Sequence, residues 1–253
     1  MKLFFRKSGS GKPLLILHGL FGSSDNWFTL ARTFSQQFSV YLIDQRNHGQ
    51  SPHSSDFSYN LLAEDIRNFI LEHSLNQPII LGHSMGGKAA MNFAVHYSEH
   101  ISKLIVVDIV PREYPVHHDA ILDGLKAIPV DSLTSRNEAD RILSHYVPEA
   151  EVRQFLLKNL NRKSLGGFDW KINLKSIDDH IEAMGAGMIY SGKHEGSSLF
   201  IRGKKSNYYA PGDKALISGI FPNAEFAELD TGHWVQAEKP EEFAELVLKY
   251  LAR

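Results

Sequence analysis

This sequence predicts an α/β fold: a mostly parallel central sheet flanked by helices, with an inserted helical cap. Three observations carry that prediction. Short runs recur that are apolar at every position, as strands buried on both faces of a parallel sheet require. Segments with helical spacing separate them, the alternation that builds strand–helix–strand units. The rhythm then stops after Asp108 and resumes near Leu199, which marks an insertion.

In chain order, the first strands are LLIL (14–17), VYLI (40–43), IIL (79–81) and LIVV (104–107). Between the first two, Trp27, Leu30, Ala31 and Phe34 fall at i, i+3, i+4 and i+7, one face of a helix. Leu62, Ile66, Phe69 and Ile70 repeat the pattern before the third strand, and MGGKAAMNFAVHYSEH follows it, small and apolar enough to pack on a sheet. From 111 to 195 there are helical patterns (HHDAILDGLKAI, EADRILSHYV, AEVRQFLLKNL) and no convincing strand. LFI (199–201) and EFAEL (225–229) resume the strands, and KPEEFAELVLKYLAR closes as a helix with Pro240 in its first turn. The expected organisation is a core of 1–110 and 196–253 with a cap of 111–195.

Composition narrows the function classes. The 253-residue chain has a formal net charge of −2, which gives no case for nucleic-acid or membrane binding through bulk charge. It has no cysteine, which excludes disulfides, thiolate metal sites and a cysteine nucleophile. The N-terminal stretch has only three consecutive apolar residues, Leu3 to Phe5, far short of a signal sequence or a membrane span. A cytoplasmic location is the expectation. No obligate protein partner is evident.

LGHSMGG (81–87) is the sharpest chemical signal. Gly-x-Ser-x-Gly between an apolar strand and a helix is a nucleophile elbow, with Ser84 held above the sheet at a helix N-terminus. Gly82 and Gly86 let strand and helix approach closely. LHGLFGS (17–23) follows the first strand, so the backbone N–H groups of Leu20 and Met85 are the expected oxyanion hole. TGHWVQAEKP (231–240) follows the last strand and places His233 at a strand end; of thirteen histidines it stands out by position and by coming after the serine and an acid. His96 and His100 sit four apart on a helix but have no matching third ligand, and GSGK (9–12) fails as a phosphate loop, since Arg6 stands where its first glycine belongs. DQRNHGQS (44–51) reads as loop bracing, with Arg46 a candidate substrate contact. His117, where the cap begins, is a candidate for the substrate entrance.

HGLFGS, DQRNHGQS, GHSMGGKA, VVDIVP and TGHWVQAEKP together resemble the α/β-hydrolase superfamily, and within it the small bacterial YbfF-type acyl esterases. The resemblance implies cofactor-free hydrolysis of a small-molecule acyl ester or thioester, with no metal. It also implies that in many members the triad acid follows the penultimate strand, near Ser206 here, where this chain has none. Another arrangement in the superfamily puts the acid one strand earlier, at Asp108.

The residues themselves leave several carboxylates to weigh. Asp108 directly follows a buried strand; Asp213 follows Pro-Gly and reads as a helix N-cap; Asp230 is only three residues before His233. Asp108 is the expected acid. Between Arg153 and Lys175 six cations (Arg153, Lys158, Arg162, Lys163, Lys171, Lys175) stand against one acid, Asp169. They are a solvated basic face, or, with Arg162 and Lys163 as contacts, a surface for an anionic leaving group such as coenzyme A. Carbon–carbon bond hydrolysis on the same triad and a non-catalytic ligand receptor are the competing readings.

Overall fold

The computed structural model describes residues 1–114 and 119–253. Nine strands are found among them: β1 (Phe5–Ser8), β2 (Lys12–Leu17), β3 (Phe38–Ile43), β4 (Ile79–His83), β5 (Lys103–Val107), β6 (Leu160–Arg162), β7 (Phe168–Trp170), β8 (Ser197–Gly203) and β9 (Ala224–Leu229). The helices of the sheet's two faces are α1 (Phe28–Phe34), α2 (Tyr59–Glu72) and α3 (Met85–His96). Between β5 and β8 come α4 (Asp119–Lys126), α5 (Arg136–Leu143), α6 (Ala150–Leu157), α7 (Leu174–Asp179) and α8 (Ile181–Gly185). The chain closes with α9 (Asp213–Ile220), α10 (Val235–Glu238) and α11 (Pro240–Leu251).

Seven strands form one sheet in the order β1-β3-β2-β4-β5-β8-β9. All neighbours are parallel except β1, which pairs antiparallel with β3 at the edge. The alternation of side chains along each strand splits the core into two layers. Leu14 and Ile16 of β2, with Val40, Leu42, Ile105 and Val107, pack under α1 and α11. Leu15 and Leu17, with Tyr41, Ile43, Leu104 and Val106, pack under α2 and α3. Phe93 of α3 is fully buried there, worth about 1.5–3 kcal/mol of transfer free energy for such a side chain. α2 begins where expected, with Ser58 Oγ accepting from Leu61 N as N-cap.

The expectation of no strand in 111–195 is corrected: β6 and β7 pair antiparallel there. Three-residue strands are too short for alternation to register. The turn between them uses Gly166 and Gly167 at φ 96° and 73°. The same layer that covers α2 and α3 runs on through Leu122, Leu143, Leu156 and Phe168, so this inserted segment shares the core's apolar cluster. Polar ties add to the packing. Asn159 Nδ2 donates to Phe21 O at 2.8 Å, Asn173 N to Asn47 O at 2.9 Å, and the Tyr59 hydroxyl to Met184 O at 3.0 Å.

Candidate active site

β2 lies between β3 and β4, so the crevice at the carboxyl ends of these strands is where a doubly wound sheet opens to a ligand. The elbow stands there. Ser84 has φ 52° and ψ −119°, a strained conformation for a residue with a side chain. A Cβ on Gly82 would lie 2.2 Å from Gly86 O, and one on Gly86 2.5 Å from Leu17 O, so both positions require glycine. Ser84 N donates to Val107 O at 3.0 Å, which ties the turn to β5.

Asp108 directly follows β5 and is fully buried, with φ 50°. His233 Nδ1 meets its Oδ2 at 2.8 Å. Nδ1 facing a carboxylate carries the proton, which leaves Nε2 as the basic nitrogen. Gly203 N donates to Asp108 Oδ1 at 2.8 Å, and the Ser206 hydroxyl donates to Oδ2. The backbone of Asp108 is fixed as well, its N–H donating to Ile201 O at 2.8 Å. Asp213, the alternative acid, is engaged elsewhere: its Oδ2 accepts from Arg112 Nε at 3.2 Å and Ala210 N at 2.7 Å. It is the first residue of α9 rather than its N-cap, which is Gly212. Asp230 pairs with Lys205 at 3.1 Å.

The imidazole of His233 is held from two sides. Tyr208 stacks on it with ring centroids 3.9 Å apart and planes 16° from parallel. His83, the residue before Ser84, packs its ring at 4.7 Å and donates from Nε2 to His233 O at 2.9 Å. Burial, and then the neighbouring His233, hold His83 well below the usual histidine range, so it stays neutral, with its one N–H on Nε2. Beside Ser84 opens a cavity of about 620 Å³. Leu20 and Met85, the expected oxyanion donors, line it with Ser84, and so do Lys88, Arg112 and Tyr208. The loop after β2 is braced by neutral histidines. His18 Nδ1 donates to Gly19 O at 2.8 Å while Nε2 accepts from Gln45 N at 3.0 Å; His48 Nδ1 donates to Arg46 O at 2.9 Å while Nε2 accepts from Phe21 N at 3.3 Å.

The family model described as alpha/beta hydrolase fold matches residues 12–240. The chain belongs to the α/β-hydrolase family. Esterase YbfF of Escherichia coli (strain K12) is 33% identical over 96% of this chain and 94% of its own length, in keeping with the resemblance that the motifs carry. The sn-1-specific diacylglycerol lipase ABHD11 of Danio rerio is 35% identical over 98% of this chain and 80% of its own. A solved structure described as a marine microorganism esterase superposes with a TM-score of 0.96 at 42% identity, covering 98% of this chain and 99% of that one.

Not every expected site residue of this α/β-hydrolase reaches the cavity. Arg46 is corrected to a brace: it is 5% exposed, with Nε donating to Asp65 Oδ2 at 2.6 Å and its other nitrogens to Asp56 O and Leu61 O. A buried guanidinium needs such partners, and it is not among the residues lining the cavity. Arg162 and Lys163 lie on and beside β6, away from that lining. Arg162 donates to Thr134 O at 3.0 Å and Lys163 pairs with Asp131 at 2.7 Å. His117 lies outside the described residues. Sequence reasoning passed over three side chains the α/β-hydrolase brings to the site. Ser206 carried a signal, standing where an acid was sought. Lys88 carried a fainter one, a charge one helical turn after Ser84 in an otherwise small, apolar helix. Tyr208 carried none.

Proposed function

We propose that this protein hydrolyses carboxylic esters through Ser84, His233 and Asp108. His233 Nε2 takes the Ser84 proton as Oγ bonds to the acyl carbon, and the N–H groups of Leu20 and Met85 receive the oxyanion. The carbon–oxygen bond to the alcohol then breaks, and His233 returns the proton to the departing alkoxide. Water repeats the sequence on the acyl-enzyme, releasing the carboxylic acid and restoring Ser84. The observation that carries the reading is the 2.8 Å contact of His233 Nδ1 with a buried carboxylate, beside a serine in a strained elbow. The relatives' names, an esterase and a diacylglycerol lipase, support an ester as substrate.

An acyl thioester offers the same carbonyl and belongs in the substrate panel. The basic tract gives less support to acyl-CoA than its sequence implied, since three of its cations are paired in the fold. Arg153 meets Asp140 at 2.8 Å, Lys163 meets Asp131 at 2.7 Å, and Lys175 meets Asp179 at 2.6 Å. Among the described residues no helix is long and apolar enough to cross a membrane. The cysteine-free sequence supports a cytoplasmic setting.

The test is covalent labelling with a fluorophosphonate together with kinetics of Ser84→Ala. The wild type is expected to label once, at Ser84, and the folded variant to lose on the order of 10⁶ in kcat. A folded Ser84→Ala protein that keeps a tenth of the activity removes the proposal, and an unlabelled wild type that binds esters without turnover favours a receptor.

A further inference from the structure

The lining of the cavity beside Ser84 includes two cations, Lys88 and Arg112, and no carboxylate. The charge of Arg112 is answered within the fold by Asp213. That of Lys88 has no ion-pair partner among the described residues, only a weaker pull from Glu113. Lys88 is 1% exposed; its ammonium donates to Ala186 O at 2.7 Å and Gly185 O at 3.3 Å, and faces the rings of Tyr59 and Tyr114 at 5.5 and 5.0 Å. Among the described residues no carboxylate pairs with it, and residues 115–118 include no acid. Burial pushes the Tyr59 and Tyr114 hydroxyls up, so neither supplies an anion. An ammonium has three N–H donors, and two carbonyls leave one without a protein acceptor. Burying a charge without a counter-ion is costly. Burial, then the Arg112 guanidinium, bring this one down to about 8.

Lys88 follows Ser84 by four residues, its N–H donating to Ser84 O at 3.0 Å, and both residues line the cavity. We propose that the cavity selects esters that carry a carboxylate a few carbons from the scissile carbonyl, seated on the Lys88 ammonium. This rests on Ser84 being the esterase nucleophile. Half-esters of glutarate are the simplest esters of that class. The contacts with Gly185 and Ala186 also let Lys88 tie down the end of α8, and a tie alone would act on all substrates alike.

The experiment follows proton release from three esters: methyl pentanoate, monomethyl glutarate with its carboxylate on the acyl side, and 3-(butyryloxy)propanoate with it on the alcohol side. One anionic ester is expected to exceed the neutral one in kcat/KM by on the order of tenfold or more, the scale of a hydrogen bond to a charged group. Which of the two does so tells the side on which the carboxylate sits. Lys88→Met should abolish that preference chiefly through KM, and Lys88→Arg should keep part of it. A second measurement is independent of folding by the variants: glutarate should inhibit the wild type competitively and neutral glutaramide should not. Equal turnover of charged and neutral esters, an equal loss on all three in Lys88→Met, or equal inhibition by the two compounds overturns the inference. Absence of turnover on every ester, with Ser84 unlabelled by a fluorophosphonate, instead overturns the esterase reading beneath it.

Discussion

At Asp108 a buried carboxylate accepts from Gly203 N, the Ser206 hydroxyl and His233 Nδ1, three donors that fix its position. In Asp108→Asn the amide NH₂ turned toward His233 imposes the other tautomer, so kcat should fall by up to ~10⁴ with the fold retained. Asp213→Asn should stay near wild type, because Asp213 serves Arg112 and Ala210 rather than the histidine. Ser206→Ala removes one of three donors and should lower kcat about tenfold, the scale of one charge-assisted hydrogen bond. Steady-state kinetics of the three variants check the set; a larger loss in Asp213→Asn would return the acid to the loop after β8. Asp108 was legible because a polar residue ending an apolar run marks a strand's carboxyl end. Lys88 was not, since a lysine one turn into a helix reads as surface until a cavity is seen beside it. Arg46 kept two readings, brace and substrate contact, because a charge in a loop near the nucleophile has the same sequence appearance whether it faces ligand or a buried Asp65.

The elbow is an element whose geometry depends on absent side chains. In Gly86→Ala the new Cβ meets Leu17 O at 2.5 Å, a backbone atom that cannot swing aside. Such overpacking costs about 1–3 kcal/mol, and melting temperature and activity should fall together. Gly219 in α9 is the control, with open space where a Cβ would sit. Gly219→Ala should raise the melting temperature, by about 0.5–1 kcal/mol of helix propensity, and leave turnover alone. Paired thermal melts and assays check both. Of the strands that sequence located, β2 to β5 and β8 are buried enough to leave an apolar run, while β9 lies at the far edge with no fully buried residue, and its EFAEL keeps only the apolar Phe226, Ala227 and Leu229. β1 escaped notice for the converse reason: FRKS has one apolar residue and pairs on one side only, at the sheet's edge. The hairpin of β6 and β7 is set by a turn rather than by a pattern.

Over the whole molecule, stability is tied to histidines that stay neutral inside. Burial holds His18 and His83 below the usual range and brings His48 to about 3. Each has a lower pKa folded than unfolded. Below about 6.5 the unfolded chain binds protons that the folded one refuses, so this stability is complete above 6.5 and is lost as pH falls. Each such histidine contributes a slope of up to about 1.4 kcal/mol per pH unit. Thermal melts from pH 7.5 to 5 should show a falling transition. A flat profile across that window would mean that the three rings accept protons in the folded state.

The anchoring of Asp108 has a consequence for how the protein comes into being. Its carboxylate bonds to Gly203 across 95 positions and to His233 across 125. Contacts of such long range form late, after the intervening chain has closed, and the amino-terminal part of a chain leaves the ribosome first. A nascent chain that has emerged just past β5 holds the nucleophile and the acid but no base. On the proposed mechanism it is latent, and catalytic competence arrives only when β9 has docked and brought His233 into place.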